Sequence, residues 1–207
     1  MDTTSYDEFL VSMTQILDER MRMHARLQEK LSEFTNRLFN AIEAVLEEAN
    51  QRQIPGLGKS RRFAHPSGKG REGLQIYIGD WSIIFVPLSG YARPNVSDQA
   101  RIPGALFKDL SARIGVFLTD EPNGHAFYDF IIFADGSWFA WGYGWPKQQA
   151  DIESTDFNAL AGELLHSFVR DIFLTWNTRG DTTLAASMDP KQRTYLFGLP
   201  GEDRQGI

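Results

Sequence analysis

The chain contains no cysteine, which excludes disulfides, thiolate nucleophiles, cysteine-ligated zinc and iron–sulfur clusters together. A cysteine-free composition fits a reducing compartment, and the expectation is a soluble cytoplasmic protein. Proline and glycine are missing from residues 5–53, so the first quarter of the chain holds nothing that would break or turn a helix. Long apolar runs are missing too. The longest, such as Ile83-Ile84-Phe85-Val86, are strand-sized and far short of the ~20 residues a membrane-spanning helix needs. The opening Met1-Asp2-Thr3-Thr4-Ser5 has neither a basic region nor an apolar one, so no secretory signal is expected. There is no surplus of positive charge: the net value is −6, which argues against bulk binding to nucleic acid or to anionic membranes.

Catalytic signatures are also absent. There is no Gly-x-Ser-x-Gly elbow, no His-Glu-x-x-His and no Gly-x-Gly-x-x-Gly behind a strand. Gly58-Lys59-Ser60 ends like a phosphate loop, but Gln53 stands where that motif needs its first glycine, and a helix precedes it where the motif needs a strand. His24, His65, His125 and His166 have no metal-type spacing. Of these, His24 falls in a helix seam, where a titrating residue can make association depend on pH. No metal and no cofactor are expected. Sites assembled from distant residues leave no local trace, so an enzyme stays in the ranking, in last place.

What is present points to an α+β fold. The hydrophobic fraction of 42% is enough for a folded core. Ser5-Tyr6-Asp7-Glu8 has capping-box spacing. Leu10, Met13, Leu17, Leu27, Leu31, Phe34, Leu38, Ala41 and Val45 then recur at alternating three–four spacing, the pattern of a coiled-coil-like seam on one helix face. Arg20 and His24 interrupt it. Residues 1–53 therefore read as one long amphipathic helix. Its second half should pack on the domain's own sheet, and its first half should project toward a partner. At 1.5 Å per residue such a helix is roughly 70 Å long, more than a domain of this size can cover. A hairpin folded back near residues 20–26 is the alternative.

Ile54-Pro55-Gly56 ends the helix, and residues 54–73 read as a basic, glycine-rich loop. Five strands of a meander-like antiparallel sheet should follow, at residues 74–78, 81–87, 114–118, 127–133 and 138–143. Gly79-Asp80 and Asp135-Gly136 are two-residue hairpin turns in this reading, and residues 88–104 are a long connection. Thr155 or Asp156 caps a C-terminal amphipathic helix whose apolar stripe runs from Phe157 to Trp176. Residues 74–176 form the body, and 177–207 an irregular tail.

Three candidate sites follow. Leu10, Met13, Leu17, Leu27 and Leu31 are the candidate interaction helix. Lys59, Arg61, Arg62, Lys69 and Arg71 lie in a stretch without one acidic side chain and are candidate anion or nucleic-acid contacts. The plainer reading is that they are solvated, or that they pair with Glu43, Glu47 and Glu48 of the helix. With Asp135-Gly136 as a two-residue turn, Asp129 lies across from Gly142, Phe130 across from Trp141 and Tyr128 across from Tyr143. Phe139, Trp141, Tyr143 and Trp145 then form an aromatic face beneath the C-terminal helix. Asp129, Trp138 and Gly142 become candidate ligand contacts in a small-residue hollow.

The leading functional expectation is a non-catalytic interaction or oligomerisation module of adaptor, chaperone-like or immunity type. It would use its first helix for self-association or a protein partner. A regulatory domain sensing a small molecule through the sheet comes second. A nucleic-acid-associated protein acting through residues 59–71 comes third.

Overall fold

The computed structural model describes residues 3–64, 71–79, 81–88, 111–117, 126, 128–142 and 148–177. Helix α1 spans Thr3–Gln51 without interruption, so the hairpin alternative is not adopted. It begins two residues before Ser5, so Ser5 does not cap it. Its C-terminus is closed by backbone bonds from Gln53 N–H to Asn50 C=O and from Ile54 N–H to Ala49 C=O, both 3.0 Å. Gln53 sits at φ 57°, the left-handed position that such a helix stop requires.

Seven antiparallel strands follow as a meander in the order β1-β2-β3-β4-β5-β6-β7. They are β1 (Lys59–Ala64), β2 (Glu72–Ile78), β3 (Trp81–Leu88), β4 (Ser111–Phe117), β5 (Tyr128–Phe133), β6 (Ser137–Gly142) and β7 (Gln148–Asp151). The five expected strands correspond to β2–β6. The two additional ones, β1 and β7, are the sheet edges. Residues 59–64, expected as loop, are strand β1, because their backbone pairs with Glu72–Tyr77 of β2. A 3-10 turn at Ile152–Ser154 leads to helix α2, Phe157–Asn177. Asp156 caps it: its carboxylate accepts the backbone N–H groups of Asn158 and Ala159, both at 3.0 Å. Leu88, expected to open the long connection, closes β3; residues 89–104 of that connection and the tail beyond 177 lie outside the described residues.

The hairpin β2–β3 has the expected two-residue turn. Ile78 pairs with Trp81, and Gly79 takes the left-handed φ of 59° that this turn demands. The β5–β6 hairpin differs. The Gly136 N–H donates to the Phe133 C=O at 3.0 Å, Gly136 has φ 89°, and the Asp135 carboxylate accepts from both the backbone and the hydroxyl of Ser137. This longer turn shifts the register by one residue, so Phe130 pairs with Ala140 and Ile132 with Trp138. Because side chains alternate along a strand, a one-residue slip exchanges the faces of β6.

Consequently Trp138 and Ala140 lie under the helices with Tyr128, Phe130 and Ile132. Phe139, expected there, stacks on Phe133 on the opposite face at 5.9 Å. Tyr143 and Trp145 lie outside the described residues. α1 contributes Leu27, Leu31, Phe34, Leu38, Ile42 and Leu46 to the helix-side core, and α2 contributes Leu160, Leu164 and Phe168. Phe34 is the meeting point: its ring lies 5.5 Å from Phe130, 5.2 Å from Trp138 and 5.2 Å from Phe157. It thereby joins α1, two strands and the first turn of α2.

Replacing Phe34 by Ala should lower unfolding free energy by about 3–5 kcal/mol, measured by urea denaturation. A loss below about 1 kcal/mol would show that these elements do not depend on this contact.

Candidate functional site

Helix α1 divides at Leu27. From there on its inward residues are buried, with Leu27 at 3% and Leu31 at 0% exposure. Before it, among residues 6–26, only Asp18 and Met23 are even half-buried. Tyr6, Phe9, Leu10, Val11, Met13, Ile16, Leu17 and Met21 are exposed by 41–66%. At 100° per residue, all of these except Val11 fall on an arc of roughly 140°. Leu27, Leu31, Phe34 and Leu38 fall on the same arc. The projecting half therefore continues the core-facing stripe of the buried half beyond the edge of the body.

The candidate interaction residues separate accordingly. Leu10, Met13 and Leu17 lie on the projecting face, whereas Leu27 and Leu31 are core residues. This corrects the expectation that all five form one interaction surface: the sheet and α2 already occupy the face on which Leu27 and Leu31 lie. His24, within the seam, is exposed, and its Nε2 lies 3.5 Å from the Gln28 side-chain amide.

The basic segment does not form one patch. Strand alternation sends Arg61 and Arg62 to opposite faces of the sheet. Arg62 reaches α1, donating to both Glu43 oxygens at 3.0 and 2.7 Å and to Asn40 at 2.6 Å. The Glu43 carboxylate above all, with Glu72, holds its guanidinium above its ordinary pKa. Arg61 donates to Gln75 at 2.9 Å, and Gln75 in turn donates to Ser82 at 2.8 Å. Lys59 is exposed on the edge strand. Arg71 stands at the entry to β2, half-buried. Lys69 and His65 lie outside the described residues.

The candidate ligand residues also separate. Asp129 pairs with Trp141 of β6 and with Gly115 of β4, not with Gly142, whose partner is Tyr128. The register change places Trp138 on the helix side. There its indole N–H donates to Thr155 Oγ1 at 2.8 Å, and the Thr155 hydroxyl donates to the Asp151 C=O at 2.7 Å. Asp129 lies on the other face, buried at 5%, and accepts a hydrogen bond from Arg113 Nε at 2.5 Å; Arg113 is itself 3% exposed. Burial pushes the Asp129 carboxyl above its ordinary pKa, and the adjacent guanidinium pulls it back. This buried ion pair was not anticipated. The only signal for it is a charged residue inside each of two otherwise apolar strands.

Among the described residues, no group of three or more His, Asp or Glu could hold a metal ion. None of their helices is long and apolar enough to cross a membrane. Set against protein-family models, curated proteins and solved structures, the chain matches none.

The buried pair generates a measurable asymmetry. Asp129→Asn or Arg113→Met alone leaves an uncompensated group in the core and should cost about 3–5 kcal/mol. The double variant Arg113→Met/Asp129→Leu should be less destabilised than the sum of the single changes by at least about 1 kcal/mol. Strictly additive losses in chemical denaturation would show the two side chains to be energetically independent.

Proposed function

We propose that this chain is a non-catalytic interaction protein that associates with a second copy of itself, through the projecting half of α1 paired in antiparallel fashion. The observation that carries this reading is the exposed apolar arc of residues 6–21. Contiguous apolar surface of this kind is uncommon on a monomer and marks an association site.

Geometry favours an antiparallel second copy. The projecting arc and the buried stripe share one face of a continuous helix. A parallel partner helix lying on residues 6–24 would run on into the sheet and α2, which occupy that face from Leu27 onward. An antiparallel partner centred near Met13–Thr14 ends before Leu27, and its own body lies beyond the far end of the helix. Charge agrees with this arrangement. Parallel pairing stacks Arg20 on Arg20 and His24 on His24 within the seam. Antiparallel pairing about the same centre brings Asp7 of one copy toward Arg20 of the other and Leu10 toward Leu17. Opposite charges then meet, and apolar residues face one another.

The alternative partners gain less support. Arg61 and Arg62 are engaged within the fold, and Asp129 and Trp138 lie on opposite faces of the sheet.

Light scattering over a dilution series should give a dimer mass that falls toward a monomer on dilution. Leu10→Glu/Leu17→Glu should raise the dimer Kd by at least about 100-fold and leave the circular dichroism melting of the body unchanged, since neither side chain is in the core. A wild-type monomer at all concentrations, or a dimer unaffected by the double substitution, would overturn the proposal.

A further inference from the structure

Between α1 and the β1–β2 edge lies a cavity of about 140 Å³, lined by Ser32, Thr35, Asn36, Phe39, Arg62, Arg71 and Glu72. The helical lining residues recur at three- and four-residue intervals, so they form one stripe of α1. Ser32, Thr35 and Asn36 make most of this stripe polar, and Phe39 joins it to the core that holds Phe34 and Leu38. Two polar atoms here are buried without a hydrogen-bond partner among the described residues: Thr35 Oγ1 and Arg71 Nη1. Thr35 is 7% exposed. Among the described residues the only other such atom is Gln28 Oε1. Two of the three therefore belong to the lining of one small cavity.

A buried donor left unpaired costs on the order of 1–3 kcal/mol, and more when it is charged. Native proteins tolerate such groups where water, an ion or a ligand completes them. Desolvation lowers the Arg71 pKa. The neighbouring Arg62 is different: Glu43 and Glu72 lie 2.7 and 3.6 Å away. Glu72, the one carboxylate in the lining, is held by that pair and turned largely to solvent, with a side-chain exposure of 64%. Arg71 thus has no ion-pair partner among the described residues.

We propose that this cavity is a binding site for a single small oxyanion of phosphate size, held by the Arg71 guanidinium and the Thr35 hydroxyl, with Ser32 and Asn36 at its wall. The donor chemistry matches: guanidinium and hydroxyl groups are the usual partners of phosphate oxygens. The size matches as well. At roughly 30 Å³ per water, the space holds a few waters or one phosphoryl group. The site is separate from the projecting face of α1, so anion binding and self-association can succeed or fail independently.

The test is titration of the full-length protein with inorganic phosphate by isothermal calorimetry, with chloride at matched ionic strength as the reference. Thermal melting in both buffers accompanies it. Phosphate raises the stability of many proteins through exclusion from their surface, so the variants decide. Arg71→Met should weaken phosphate binding by roughly 10- to 100-fold, the equivalent of one charge-assisted hydrogen bond. Thr35→Val keeps shape and removes the hydroxyl. It should reduce the phosphate response and leave melting in chloride equal to or above wild type, because an unpaired hydroxyl has been replaced by a methyl group. Absence of binding, or an equal phosphate response in wild type and both variants, would overturn the proposal and assign the two orphaned atoms to buried water.

Discussion

The structure depends on one constraint: a continuous helix carries a single apolar face along its whole length, and the body covers only part of that face. The covered part begins at Leu27 and runs to Ala49. It supplies the side chains against which a meander of seven strands can close its helix-facing surface. Phe34 concentrates the coupling, with three aromatic rings on three other elements around it. Antiparallel strands joined in sequence need only short connections, but they leave two edges and require a cover on the apolar face. α1 and α2 together provide that cover. The uncovered part of α1 has the same chemistry and no cover among the described residues, so the association proposed for it would extend the folding surface.

Polar groups within the fold divide into satisfied and unsatisfied ones. The Arg62–Glu43–Asn40 cluster ties the edge strand β1 to α1, and the Arg61–Gln75–Ser82 chain ties β1 to β2 and β3 on the other face. Arg113 and Asp129 neutralise one another within the interior. Such pairs add little net stability over apolar replacements, but they penalise any register that separates them. A shift of β4 against β5 would strand both charges. Against this background Arg71 Nη1 and Thr35 Oγ1 stand out as buried polar atoms with no hydrogen-bond partner among the described residues.

Periodicity made most of the architecture legible. The long helix, the α2 stripe, the Asp156 cap and the five central strands all leave strong local patterns, because each buries a face that must repeat at 3.6 or 2 residues. The two edge strands left none. Lys59-Ser60-Arg61-Arg62-Phe63-Ala64 buries little and pairs on one side only, so nothing requires apolar and polar residues to alternate along it. The same lysine and arginine residues that suggested a loop are a common composition for an exposed edge.

The β5–β6 turn marks the limit of local reading. Asp135-Gly136 fits a two-residue turn and a three-residue turn equally well, and the two differ by one residue of register. That residue decides whether Trp138 or Phe139 faces the helices, and with it whether Asp129, Trp138 and Gly142 can converge. The ring of Phe34 and the Thr155 hydroxyl that accepts the Trp138 indole N–H both go with the observed register, and both belong to residues distant in the chain. The sequence by itself determined the two helices and five central strands, their order, the amphipathic face of α1 and its excess length, because these are properties of local spacing and chain dimensions. Only the tertiary structure decided where along α1 core gives way to exposed surface, which cations are paired and which buried donors lack partners, because burial and pairing are set by neighbours that no local pattern encodes.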